Sequence, residues 1–81
     1  MNFKSSEQTL TKAQLKEVKD KIHACCCHIQ YNGHPKPHFN TVSTFIKRTL
    51  NIRKLEDIPQ DRLHEVTEII HYYRWRYRRV V

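Results

Sequence analysis

Between Tyr72 and Arg79 the chain interleaves four arginines, Arg74, Arg76, Arg78 and Arg79, with the four rings of Tyr72, Tyr73, Trp75 and Tyr77. A guanidinium beside a π face is the pairing that phosphate contact with base stacking requires, and an acidic protein surface accepts it as well. The segment points to binding, and no catalyst is expected. Wound at about 100° per residue, Leu63, Val66, Ile70, Tyr73 and Tyr77 fall on one stripe, with Tyr72, Trp75 and Arg79 on roughly the opposite side. Two large rings thus sit on a face that a core does not need. The ordinary roles are packing on another helix or a second subunit for the rings, and complementing the negative helix end for the arginines.

Two further basic groups stand elsewhere. Lys12, Lys16, Lys19 and His23 recur at spacings of four, three and four and line one face of a helix; Lys47 and Arg48, with Arg53 and Lys54 after them, form a second cluster. Such rows suit phosphates and equally suit a solvated helix face, and Glu17 with Lys21 has ordinary salt-bridge patterning.

Metal and nucleophile chemistry find less material. His23 and Cys27 are four apart, as are His34 and His38, so a four-ligand zinc site can be drawn. The cysteine pairs of structural zinc sites are missing, and Cys25 and Cys26 read better as small core residues, so no metal and no cofactor is expected. Cys27 with His23 or His28 could form a nucleophilic pair, but no third orienting group accompanies it. A single glycine cannot build a phosphate-cradling loop.

The totals agree with a binder. In 81 residues, 15 Lys and Arg against 8 Asp and Glu leave a net charge of +7, and the isoelectric point near 9.6 lies in the range of nucleic-acid-binding domains. A core of this size gives only a few kcal/mol of net stability, so dimerisation would help. No apolar run reaches the roughly 18 residues of a membrane span, and the polar start Met1-Asn2-Phe3-Lys4 is unlike a signal peptide. A cytoplasmic location with reduced thiols and no membrane partner is expected.

One glycine and three prolines argue against the many tight turns of a β-sandwich. The expected fold is all-α: a small three-helix domain over residues 11–81, with one long N-terminal helix and two shorter packed ones, after a flexible arm over residues 1–10. Thr11 with Gln14 forms a capping box that starts helix 1, flanked by a Leu10/Leu15 staple. Leu15, Val18, Ile22, Cys25, Cys26 and Ile29 make one apolar stripe ending near Tyr31, before the stop Asn32-Gly33. The stripe suits a helical hairpin within one chain or a coiled-coil homodimer through helix 1. After the stiff His34-Pro35-Lys36-Pro37-His38, helix 2 is expected from Asn40 to Leu50, ended by Asn51, with Phe39, Val42, Phe45, Ile46 and Leu50 inward. Asp57, Pro59 and Gln60 read as cap, first-turn proline and capping-box partner of helix 3, running to Arg78. A helix-turn-helix reading has little support, because the Asn51–Asp57 connection is long and Glu65 and Glu68 stand where base-reading residues are usual.

Phe45-Ile46-Lys47-Arg48, Leu50-Asn51-Ile52, Leu55-Glu56-Asp57-Ile58-Pro59 and the helix bearing Val66, Ile69 and Ile70 form a pattern, within Phe39 to Trp75, that resembles the C-terminal domain of phage-encoded antirepressors and related phage regulatory proteins. The resemblance implies a phage or prophage regulatory module. In such proteins this domain follows an amino-terminal domain that often binds DNA, and none precedes it within these 81 residues.

The leading expectation is therefore a regulatory module that binds nucleic acid with little sequence preference. Arg74, Arg76, Arg78 and Arg79 would meet phosphates, Trp75 or Tyr72 would stack, and Lys47, Arg48, Lys12, Lys16 and Lys19 would add charge. The rival is an antirepressor-like module that uses the same tail to bind and displace an acidic regulatory protein.

Overall fold

A computed structural model of the chain describes residues 8–79 and consists of three α-helices, α1 (Lys12–Tyr31), α2 (Phe39–Leu50) and α3 (Leu63–Arg76), with no strand among those residues. The all-α, three-helix expectation holds. Two 3₁₀ turns, Leu55–Asp57 and Gln60–Arg62, lie in the connection between α2 and α3.

Helix α1 starts where its capping chemistry dictates. The Gln14 amide donates to Thr11 Oγ1 at 3.1 Å and the Thr11 amide donates to Gln14 Oε1 at 2.9 Å, satisfying two N–H groups that the first turn leaves without partners. At the other end the His34 amide reaches back to the Ile29 carbonyl and the Gly33 amide to that of Gln30, around Gly33 at φ 98°. That left-handed position favours glycine, and the hydrogen-bond pair is a Schellman motif. Helix α2 ends the same way, with the Ile52 amide on Lys47 O, the Asn51 amide on Arg48 O and Asn51 at φ 59°.

The α1 stripe is buried within the chain itself. Val18, Ile22, Cys25, Cys26 and Ile29 join Val42, Ile46 and Leu50 of α2, Leu55 and Ile58 of the connection, and Val66, Ile70 and Tyr73 of α3 in one core. Its largest fully enclosed side chains are Ile22, Ile29, Ile46 and Ile58. Burying each such side chain stabilises by roughly 1.5–3 kcal/mol, which ties each helix to the other two.

The start of helix 3 corrects the sequence reading. Asp57 caps nothing; it ends a 3₁₀ turn, Ile58 and Pro59 are extended, and the α-helix begins only at Leu63. The cause is a competing pairing. The Leu10 amide donates to the Ile58 carbonyl at 3.1 Å and the Gln60 amide to the Gln8 carbonyl at 2.9 Å, making an antiparallel bridge between Thr9 and Pro59. Proline suits the bridge because both bonds use its neighbours' groups and none needs its missing N–H. Residues 8–10, expected as part of a loose arm, are held by this bridge, while residues 1–7 lie outside the described residues. The helix also stops at Arg76, two residues short of the expected Arg78.

Contacts along the seam fix the helix directions. Lys21 meets Thr67, Asn32 meets Tyr77 and His34 meets Arg78, so α1 and α3 run parallel. Phe45 packs on Tyr73 while Thr49 lies beside Glu65 and Ile69, so α2 runs back against α3. Parallel α1 and α3 bring both their C-terminal ends, and the basic tail, to one end of the molecule.

Candidate nucleic-acid interface

The face opposite the buried α3 stripe carries the two rings expected there: Tyr72 is 54% and Trp75 58% exposed. Three residues apart on one helix, they share a face, and their rings lie 6.4 Å apart at 22°. A third ring extends the row from another element. Phe45 of α2 stands 6.5 Å from Tyr72 with planes only 17° apart, in an offset stacked arrangement. The sequence reading placed Phe45 inward, and it does touch the core through Tyr73 at 5.2 Å. It is only half-buried, however, and its remaining surface joins the exposed row.

The arginines divide between free and intramolecular roles. Arg78 lies over the indole of Trp75, its guanidinium carbon 4.3 Å from the ring centroid, and donates from Nη1 to the Trp75 carbonyl at 3.2 Å. Arg79 stands 5.6 Å from the ring centroid of Tyr31, an α1 residue that is 76% exposed. Arg74 is half-buried in the α1/α3 seam, and Arg76 is exposed. Among the described residues, Asp and Glu side chains form ion pairs with Lys16, Lys21 and Arg62, and none reaches Arg74, Arg76, Arg78 or Arg79.

Loop contacts hold the tail in place. Asn32 Nδ2 donates to the Tyr77 carbonyl at 3.4 Å, His34 Nε2 donates to the Arg78 carbonyl at 3.2 Å, and the His34 ring meets Tyr77 edge-on at 5.5 Å. His34 and Asn32 are thus positioning residues that sequence spacing did not reveal, since only the Schellman turn after α1 brings them back to α3. Part of the ordinary role given to the arginines is real too. Arg78 binds a carbonyl of the last α3 turn, where a cation complements the helix end.

The other basic residues do not join this site. Lys12, Lys16 and Lys19 lie in the first half of α1, and at 1.5 Å per residue Lys16 is about 22 Å along the helix from Tyr31. Lys16 is also paired with Asp20 at 3.1 Å. The lysine row at the start of α1 and the arginine tail at the end of α3 therefore lie towards opposite ends of the molecule. Arg48 lies closer, lining a groove with Thr41, Thr44, Phe45 and Tyr73, whereas Lys47 is half-buried and lines neither groove beside Phe45. On its other side Phe45 borders a groove with Glu65, Glu68, Ile69 and Tyr72. The ring row thus has a cationic end at Trp75 and an acidic flank near Glu68.

The cysteines settle into structural positions. Cys25 and Cys26 are buried and Cys27 is exposed. Burial pushes the Cys25 thiol up to about 11, with neighbouring Cys26 adding to the shift and Arg74 opposing it, which makes this sulfur a poor nucleophile near neutrality. No group of three or more His, Cys, Asp or Glu side chains among the described residues is placed to hold a metal ion, and no described helix is long and apolar enough to cross a membrane.

No family model matches the chain, and no curated protein or solved structure does either.

Proposed function

We propose that this domain binds single-stranded nucleic acid at the end of the molecule where α1 and α3 finish, as part of a regulatory module of the phage type that its sequence resembles. The row of the exposed Tyr72 and Trp75 with half-buried Phe45 beside them, and Arg78 laid on the indole, carries the reading. Base–aromatic stacking is worth about 1–3 kcal/mol per base and tolerates any sequence, because every base has a π face. Tyr72 and Trp75 lie side by side and exposed, and a contiguous aromatic patch of this kind marks an interaction surface, so a stacking ligand accounts for the pair better than packing within the chain does. The guanidiniums of Arg76, Arg78 and Arg79 lack carboxylate partners among the described residues and supply the phosphate contacts.

A duplex groove reader fits less well. α3 presents Glu65 and Glu68 from its first turns, and the connection from α2 is a long segment with two 3₁₀ turns instead of the short turn of a helix-turn-helix. Fluorescence of Trp75, the sole tryptophan, tests the proposal directly. Titration with a short oligothymidine is expected to quench it with sub-micromolar affinity that weakens steeply with salt, while a duplex of equal length binds less tightly. Silence towards both, with binding to an acidic protein instead, would replace this reading by the antirepressor-like one.

A further inference from the structure

We propose that the cleft at the α1/α3 seam, walled by His28, Asn32, His71, Arg74, Trp75 and Arg78, is a phosphate-binding site that takes the phosphate of a nucleotide whose base rests against Trp75. The inference rests on the nucleic-acid reading above and names where one phosphate is seated. The cleft encloses about 220 Å³, below the roughly 300–1,000 Å³ of small-molecule pockets, which suits one charged group and not a whole nucleotide.

Its chemistry has one sign. Two guanidiniums, two imidazoles and an amide line it, with no carboxylate among the lining residues. A second cleft of about 320 Å³ continues along the seam past the shared His71 and Arg74 to Thr67 and Lys21. Lys21 donates to Thr67 Oγ1 at 3.2 Å and lies 4.0 Å from Glu17, and no carboxylate is among the residues that line this second cleft. Arg74 is the central observation. It is half-buried between two helices, and among the described residues no carboxylate pairs with it. A charge drawn partly out of water gains from an ionic partner, and a planar guanidinium matches a phosphate with two parallel hydrogen bonds.

The opposing force is the pair of helix C-termini that meet here. Each contributes about −0.5 charge, or about −1 for the two, confined to the last turn. Arg74 and Arg78 alone exceed this with +2, and the Arg78 guanidinium already satisfies one of the α3 carbonyls. The cleft therefore stays positive. Trp75 belongs both to this cleft and to the exposed row, so a phosphate seated here leaves its own base within reach of the indole.

The test uses the full chain with oligothymidine tetramers carrying either a 5′-phosphate or a 5′-hydroxyl, and inorganic phosphate as a separate probe. Arg74→Gln and His71→Gln alter the cleft, and Lys19→Gln, in the first half of α1, is the control outside the site. Expected are a loss of about tenfold or more in tetramer affinity for Arg74→Gln, a smaller loss for His71→Gln, and amide shifts at His28, Asn32 and Arg74 when inorganic phosphate is added. A tenfold preference for the phosphorylated tetramer would assign the seat to a terminal phosphate, and equal affinity would assign it to an internal phosphodiester. Tetramer binding that Arg74→Gln and His71→Gln leave as intact as Lys19→Gln does would overturn the cleft and spare the nucleic-acid reading. Phosphate shifts in the cleft without any tetramer binding would do the reverse.

Discussion

The Arg78 guanidinium carbon sits 4.3 Å from the centroid of the Trp75 ring while its Nη1 donates to the Trp75 carbonyl, so one residue covers a face of the indole and one carbonyl of the last α3 turn. A base that reaches this face must either displace the guanidinium or stack on its outer side. In both cases the charge stays beside the nucleotide's phosphate. Arg78→Ala is expected to reduce the salt dependence of single-strand binding by about 0.7 in the log–log slope, the value of one lost phosphate contact, and to shift the Trp75 emission of the free protein. An unchanged slope would place Arg78 in a purely structural role.

Removing the indole separates binding from folding. Trp75 is largely exposed, so Trp75→Ala should change unfolding stability by no more than about 0.5 kcal/mol. The same substitution should weaken oligothymidine binding by about 1–3 kcal/mol, measured by anisotropy of a labelled strand. Phe45→Ala should lower both quantities, since that ring touches Tyr73 as well as Tyr72.

The core should respond in the opposite sense. Ile22 is fully enclosed, and Ile22→Ala is expected to cost about 2–5 kcal/mol in denaturant unfolding, enough to threaten a domain of this size. Thr11→Ala, which removes the capping hydroxyl of α1, should cost about 0.5–2 kcal/mol.

Cysteine accessibility gives an independent check on the packing. A thiol reagent at neutral pH should label one sulfur per native chain, at Cys27, and all three once the chain is denatured, because Cys25 and Cys26 are sealed in the core. Rapid labelling of two or three sulfurs in the native protein would contradict the placement of α1.

Alkaline pH should unfold the domain for a related reason. Burial raises Cys25 from an ordinary value of 9.0 to about 11 and raises Cys26 and Tyr73 in the same direction. The folded chain thus holds these protons more tightly than the unfolded chain does. Their contribution is complete below about pH 9 and is lost as pH rises towards 11, at up to about 1.4 kcal/mol per pH unit for Cys25. Melting temperatures measured between pH 8 and pH 11, with Cys25→Ala as the comparison, test this; the variant should show the shallower decline. At the acid end the sign reverses. Arg62 holds Glu65 below its usual range, and that small, exposed contribution fades as pH falls.

The sequence made some of this legible and hid the rest for physical reasons. The start of α1 could be read because a capping box is local: Thr11 and Gln14 are three residues apart and need no other element. The exposure of Tyr72 and Trp75 could be read because winding angle alone sets a helix face. The beginning of α3 could not, because Asp57, Pro59 and Gln60 carry genuine cap signals that lose to a pairing with Gln8 and Leu10, some fifty positions away in the chain. The same limit applies to the site. Phe45 joins the ring row, and His28, Asn32 and His71 meet Arg74, only through the relative register of separate helices, which spacing within one helix does not encode. The parallel run of α1 and α3 likewise sets the lysine row of α1 apart from the tail, which spacing within either helix does not encode.

Mapping amide chemical shifts during titration with a short oligothymidine tests the central claim most directly. The account predicts changes concentrated at Phe45, Tyr72 and Trp75 through Arg79, with little movement from Lys12 to Lys19. Absence of any change at low salt, or changes centred on the first half of α1 with Trp75 untouched, would contradict it.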